Sequence, residues 1–147
     1  MSNENILALL HRAGQIADEL FAERVGEVGI TPRQFAVLKA VAGNEEPSQT
    51  TLVYLTGIDR STLADIVRRL VERDLLKCRR TRRDARMYAV GLTEKGEAIL
   101  KAASPAATAV DEHIKSLLGD KVYDTLVEAL GIITTPDEDP AAQKKAG

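Results

Sequence analysis

At 147 residues the chain has room for one domain, or one domain with helical extensions, and its 44% hydrophobic content supports a packed core that, with 3% aromatic residues, must be built from Leu, Val, Ile and Ala. No run approaches the roughly 18 apolar residues of a membrane span, Met1 to Asn5 lacks the character of a secretory signal, and the single cysteine excludes an intrachain disulfide framework, so a cytoplasmic protein without membrane contact is expected. The net charge of −2 hides an asymmetry, because Gly57 to Val90 holds ten basic and five acidic residues while the remainder holds ten and seventeen, which points to a shaped polyanion site on an acidic body.

In chain order, Ile6, Leu7, Leu9, Leu10, Ala13, Ile16, Ala17, Leu20 and Phe21 fall at helical spacings, a stripe wide enough to lie against other helices. Gly26 and Gly29 end it. Thr31-Pro32-Arg33-Gln34 reads as a capping box with proline at the first helical position, opening a helix to about Ala42 with Phe35, Leu38 and Val41 inward. Pro47-Ser48 starts a short helix with Leu52, Val53 and Leu55 that stops at Gly57. Asp59 then caps another, with Leu63, Ile66, Val67 and Leu70 inward. Two short helices joined by a tight glycine turn make a helix-turn-helix.

Leu75 to Arg80 and Arg86 to Leu92 read as short strands, with Thr81-Arg82-Arg83-Asp84 as the hairpin tip. Asp74 sits where the chain leaves the helix, and aspartate tolerates the left-handed conformation often used there. Six of the ten residues from Lys77 to Arg86 are basic, so the hairpin reads as a basic wing. Thr93 caps a long helical stretch with Ala98, Ile99, Ala102, Val110, Ile114, Leu117 and Leu118, which Pro105 is expected to kink or interrupt. Gly119-Asp120 separates a last helix carrying Val122, Leu126, Val127, Leu130 and Ile133. Residues 135–147 are polar, contain Pro136 and Pro140, and are expected to be disordered. The fold class is therefore mainly α with a small β-hairpin: a winged helix-turn-helix lobe over residues 30–94, flanked by N- and C-terminal helices over 4–25 and 95–134.

With these elements placed, the chain resembles the multiple antibiotic resistance repressor (MarR) family of transcriptional regulators. Asp84-Ala85-Arg86, then Leu92-Thr93, then Gly96 match the family's wing signature, D-x-R followed by L-T-x-x-G. Leu55-Thr56-Gly57-Ile58-Asp59-Arg60-Ser61-Thr62-Leu63 resembles its turn into the recognition helix, and Leu70 to Leu76 that helix's exit, although Asp74 stands where the family usually has glycine. The resemblance runs from about Asn5 to Ile133. It implies that the terminal helices over 4–25 and 95–134 are dimerisation helices, interlocking in a homodimer that binds a pseudo-palindromic operator, as a repressor released by a small ligand or by thiol oxidation.

Inward Leu63, Ile66, Val67 and Leu70 turn Ser61, Ala64, Asp65 and Arg68 outward, with Arg60 at the end that meets base edges in the major groove. Arg60, Ser61, Thr62, Asp65, Arg68 and Arg69 are the candidates on this helix. Asp65 has two readings: acceptance from a cytosine amino group, or pairing with Arg69 one turn on. On the wing the candidates are Arg80, Arg82, Arg83, Asp84 and Arg86, suited to a minor groove whose potential attracts arginine. The resemblance points to Arg86, with Asp84 orienting the arginines. The bland reading is a solvated basic loop.

The terminal stripes need cover, either across a two-fold axis or within one chain. The resemblance places His11, Arg12, Gln15 and His113 around a cleft for an aromatic acid or related effector; more often such residues are surface or interface polar groups. Cys78, between Lys77 and Arg79, is a redox sensor or an ordinary strand residue. No cofactor, metal set, phosphate loop or catalytic constellation appears. The rival function is a winged-helix module for protein or RNA, against which the lack of stacking aromatics in the wing argues.

Overall fold

The computed structural model describes residues 5–81 and 88–135. Helix α1 (Ile6–Val25) and a 3-10 turn (Gly26–Val28) lead into α2 (Pro32–Ala42), α3 (Gln49–Thr56) and α4 (Arg60–Glu72). Strands β1 (Leu76–Arg80) and β2 (Tyr88–Leu92) follow, then α5 (Glu94–Leu118) and α6 (Asp120–Thr134). The strands pair antiparallel with Leu76 opposite Leu92 and Arg80 opposite Tyr88. This is the expected helical lobe with a two-stranded hairpin. Of the expected hairpin tip, Thr81 to Asp84, all but Thr81 lie outside the described residues, as do Arg86 and residues 136–147.

Local side chains set the helix starts. Thr31 Oγ1 accepts from the Gln34 backbone N–H at 3.1 Å while Gln34 Oε1 accepts from the Thr31 N–H at 3.1 Å, the reciprocal capping box. Ser48, Asp59 and Thr93 cap α3, α4 and α5 one-sidedly, their side chains accepting from the Thr51, Thr62 and Gly96 backbone N–H groups. At its C-terminus α4 ends in a Schellman turn: the Leu75 N–H donates to the Leu70 carbonyl and the Asp74 N–H to the Val71 carbonyl, both at 2.9 Å, with Asp74 at φ 59°. Asp74 thus adopts the left-handed conformation that glycine would reach without strain.

The core joins Phe35, Val37, Leu38 and Val41 of α2, Leu52 of α3, Leu63, Ile66, Val67 and Leu70 of α4, and Leu75, Leu76 and Val90 around the hairpin. Phe21 of α1 meets Phe35 with ring centroids 5.4 Å apart. Leu55, read with Leu52 and Val53 as part of the α3 stripe, is 43% exposed.

Two expectations for α5 need correction. Pro105 does not interrupt it; the helix runs unbroken from Glu94 to Leu118. Pro105 and Lys101, whose carbonyl loses its usual partner, both sit on the exposed side, where water can replace the missing hydrogen bond. Ala103 and Ala106 on the opposite side are buried and α5 packs along α1, so tertiary contacts hold the helix through the proline. The inner face also differs from the pattern, since Ala98 and Ala102 are exposed while Ala103 and Ala106 face the core.

The β2–α5 joint explains the L-T-x-x-G signature. Thr93 Oγ1 donates to the Asp74 carbonyl at 2.7 Å and accepts from the Gly96 N–H at 2.9 Å, and the Thr93 N–H donates to the Leu75 carbonyl at 3.2 Å. Gly96 approaches Leu75 so closely that a Cβ there would overlap the Leu75 carbonyl oxygen and stand 3.2 Å from Leu92 Cδ2. Only glycine lets the start of α5 lie on the exit of α4.

Candidate nucleic-acid interface

Ser61, Asp65, Arg68 and Glu72 recur at spacings of four, three and four residues, which puts them on one line of α4 opposite its buried side chains. At the N-terminal end Asp59 organises the neighbourhood. Its Oδ1 accepts from the Thr62 N–H at 3.0 Å and from Ser61 Oγ at 2.9 Å, and its Oδ2 accepts from Thr62 Oγ1 at 2.7 Å. These bonds, the Thr62 hydroxyl foremost, pull the Asp59 carboxyl down to about 2. Ser61 therefore spends its proton internally and faces outward as an acceptor. Arg60 reaches Thr50 of α3 through Nη1 at 3.5 Å, a long contact that leaves most of its guanidinium available.

Asp65 engages two arginines. Its Oδ1 accepts from Arg68 Nη2 at 2.6 Å and its Oδ2 from Arg69 Nε at 3.0 Å. Arg68 also donates through Nη1 to Glu72 Oε1 at 2.8 Å. The pairing reading of Asp65 thus holds in the free chain and extends beyond Arg69. The Arg68 hydrogen bond is the main cause holding the Asp65 carboxyl below its usual range, and the same contact raises the Arg68 guanidinium. All four side chains are about half exposed or more, so the network adds little to stability.

Of the wing candidates, Arg80 is exposed at the end of β1, and Arg82, Arg83, Asp84 and Arg86 lie outside the described residues. The base of the hairpin is fixed to the helical lobe: the Val90 N–H donates to the Pro47 carbonyl at 2.9 Å, and Arg79 lies 4.0 Å from Glu46. Tyr88, across from Arg80, is 59% exposed. The wing accordingly does carry one aromatic ring, which the emphasis on basic residues overlooked. A single ring is still short of the successive platforms used for single strands.

Arg73 and Lys95 were also missed. Arg73 Nη1 donates to the Gly29 carbonyl at 3.0 Å, and Lys95 Nζ donates to the Arg73 carbonyl at 3.3 Å, so the end of α4 is tied to both the α1–α2 connection and α5. No local pattern marks these contacts, because Arg73 and Gly29 stand 44 residues apart in sequence.

His11, Arg12 and Gln15 on α1 and His113 on α5 are exposed and engage no side-chain partner among the described residues. Depressions of about 400 Å³ beside Arg33 and Asp59 and about 250 Å³ between the end of α2 and the hairpin include none of them in their linings. Among the described residues, neither depression brings these four side chains together. Cys78 is exposed on β1, opposite Val90.

The arrangement, a capped helix with a polar outer line standing beside a basic hairpin, is that of a winged helix. A model of the MarR family matches residues 28–87. The transcriptional repressor NicR of Pseudomonas putida is 33% identical over 109 residues, covering 74% of this chain and 69% of that protein. The chain belongs to the MarR family. Among solved MarR-like structures, that of BpsR from Bordetella bronchiseptica, whose DNA binding is regulated by 6-hydroxynicotinic acid, superposes with a TM-score of 0.80 at 27% identity, over 89% of this chain and 99% of that one. The repressor CouR, bound to a 23-mer DNA duplex, superposes with a TM-score of 0.79 at 32% identity, over 88% and 92% of the two chains. As a MarR-family member the chain is a DNA-binding transcriptional regulator and not an enzyme. No helix among the described residues is long and apolar enough to cross a membrane.

Proposed function

We propose that this MarR-family chain is a cytoplasmic homodimeric repressor that holds a pseudo-palindromic operator and releases it when an aromatic acid or related small molecule binds. The observation that carries the dimer is uncovered apolar surface. Ile6, Leu9, Leu10 and Ile16 on α1 are 69, 45, 40 and 42% exposed, and Val122, Leu126, Leu130 and Ile133 on α6 are 54, 36, 36 and 65% exposed. Helix α6 buries no residue among those described although α5 packs against it, so intramolecular pairing leaves both stripes in water. A two-fold axis covers them and sets two α4 helices about one DNA turn, roughly 34 Å, apart.

In this reading residues 30–94 form the DNA-binding lobe, and 4–25 with 95–134 the dimer scaffold. Arg60, Ser61, Thr62, Asp65, Arg68 and Arg69 meet the major groove. Arg80, Arg82, Arg83 and Arg86 follow the minor groove, with Asp84 orienting them. His11, Arg12, Gln15 and His113 line an effector cleft completed by the second protomer, where an imidazole or guanidinium pairs with the acid. The effector class is supported by BpsR, regulated by 6-hydroxynicotinic acid, and binding of a ligand as such by a solved PcaV structure from Streptomyces coelicolor in complex with its natural ligand. Occupancy holds the two lobes at a spacing that no longer fits successive grooves. The test is light scattering at micromolar concentration with a duplex-release assay across aromatic acids and their coenzyme A thioesters. Dimer mass and release by one acid are expected; monomer mass, or DNA binding indifferent to every acid, overturns the respective half.

A further inference from the structure

The outer line of α4 carries a contradiction for a polyanion binder. From Ser61 to Glu72 its charged members are carboxylate, guanidinium, carboxylate, and its cation, Arg68, is held between Asp65 at 2.6 Å and Glu72 at 2.8 Å. The Ser61 hydroxyl already donates its hydrogen bond to Asp59. The line most directly opposite the core therefore presents acceptors and a neutralised cation. A helix shaped only for affinity to phosphate would carry neither Asp65 nor Glu72, since both repel the backbone of any duplex.

We propose that Asp65 and Glu72 are specificity-determining residues: they hold Arg68 closed in the free protein and release it only over a G·C pair. The inference rests on the reading of α4 as the recognition helix. The exchange conserves hydrogen bonds. A cytosine N4 amino group donates to Asp65 or Glu72, and the freed Arg68 guanidinium donates to guanine O6 and N7. Over an A·T pair adenine N6 can donate to a carboxylate, but the O6/N7 acceptor pair that receives the guanidinium is absent, so the arginine stays paired; on a misplaced helix the carboxylates meet phosphates without a compensating donor. The ladder thus lowers affinity everywhere and lowers it least at the right sequence, which is how discrimination is achieved by penalising the alternatives.

The discriminating measurement compares the unaltered protein with Asp65→Asn, Glu72→Gln and the double variant, on a duplex the unaltered protein has selected from a randomised library and on a scrambled duplex of the same length. Each is titrated by fluorescence anisotropy over a range of salt. The network is exposed, so circular dichroism should show all variants folded. The proposal expects scrambled-duplex affinity to rise several-fold in the double variant, its log–log salt slope to steepen by about 0.9 for one further phosphate neutralised, and the preference for the selected duplex to shrink. A repeat selection with Asp65→Asn should lose enrichment for G·C at the position under the middle of α4. Equal tightening on both duplexes overturns the proposal, because the carboxylates then act as bulk charge; so does no change on either. If the unaltered protein selects nothing from the library, the recognition-helix reading itself falls.

Discussion

Replacing Gly96 with alanine separates packing from helix propensity. Gly96 is the third residue of α5, and alanine is favoured over glycine in helices by up to about 1 kcal/mol, so propensity alone predicts a more stable protein. The structure predicts the opposite. The added Cβ would overlap the Leu75 carbonyl oxygen and stand 3.0 Å from its carbon and 3.2 Å from Leu92 Cδ2. The nearest obstacle is backbone, fixed by hydrogen bonds from Thr93 to Asp74 and Leu75, so a side-chain rotation cannot relieve it. Overpacking of this kind costs about 1–3 kcal/mol, which for a domain of this size lowers Tm by roughly 3–10 °C. Because the displaced segment joins the hairpin to the exit of α4, operator affinity should fall as well. Calorimetry of Gly96→Ala beside the unaltered protein decides the matter, and a Tm equal to or above that of the parent would refute the close-approach argument.

Arg86→Ala should weaken operator binding by about 1–3 kcal/mol in a gel-shift titration while leaving the melting temperature unchanged; unaltered affinity removes Arg86 from the interface. Asp59→Asn keeps an acceptor at the α4 cap but removes its titration. Since the Asp59 carboxyl is lowered from 3.8 to about 2, its contribution to stability is present above about pH 4 and is lost as pH falls toward 2. The variant should therefore lose less melting temperature than its parent across that window, and parallel curves would contradict the assignment. Leu126→Glu, on the uncovered face of α6, should convert dimer to monomer in sedimentation without abolishing helicity; an unchanged dimer mass places the interface elsewhere.

Much of this architecture was legible because its determinants are local. The capping box of Thr31 and Gln34, the Asp59 and Thr93 caps and the left-handed Asp74 each act within a few residues, and the structure places all of them as read. The hydrophobic period likewise marked Leu63, Ile66, Val67 and Leu70 as the inner face of α4. What escaped depends on the rest of the fold. Alanines carry too weak a periodic signal to show that Ala103 and Ala106, not Ala98 and Ala102, are buried in the core. Pro105 reads as a breaker until packing holds the helix through it. For Asp65, local spacing named a pair with Arg69, but that Arg68 and Glu72 close the same network depends on rotamers that spacing does not specify. The contacts of Arg73 with Gly29 and of Lys95 with Arg73 join distant segments and leave no local mark.

The most direct test of the central claim, a dimer that reads duplex DNA through paired α4 helices and wings, is selection from a randomised duplex library followed by anisotropy titration of the winner against its scrambled form. The account predicts an enriched inverted repeat with half-site centres about 10 base pairs apart, bound by one dimer, with log affinity falling linearly in log salt. Enrichment of no sequence, or equal affinity for the scrambled duplex at low salt without effector, would contradict it.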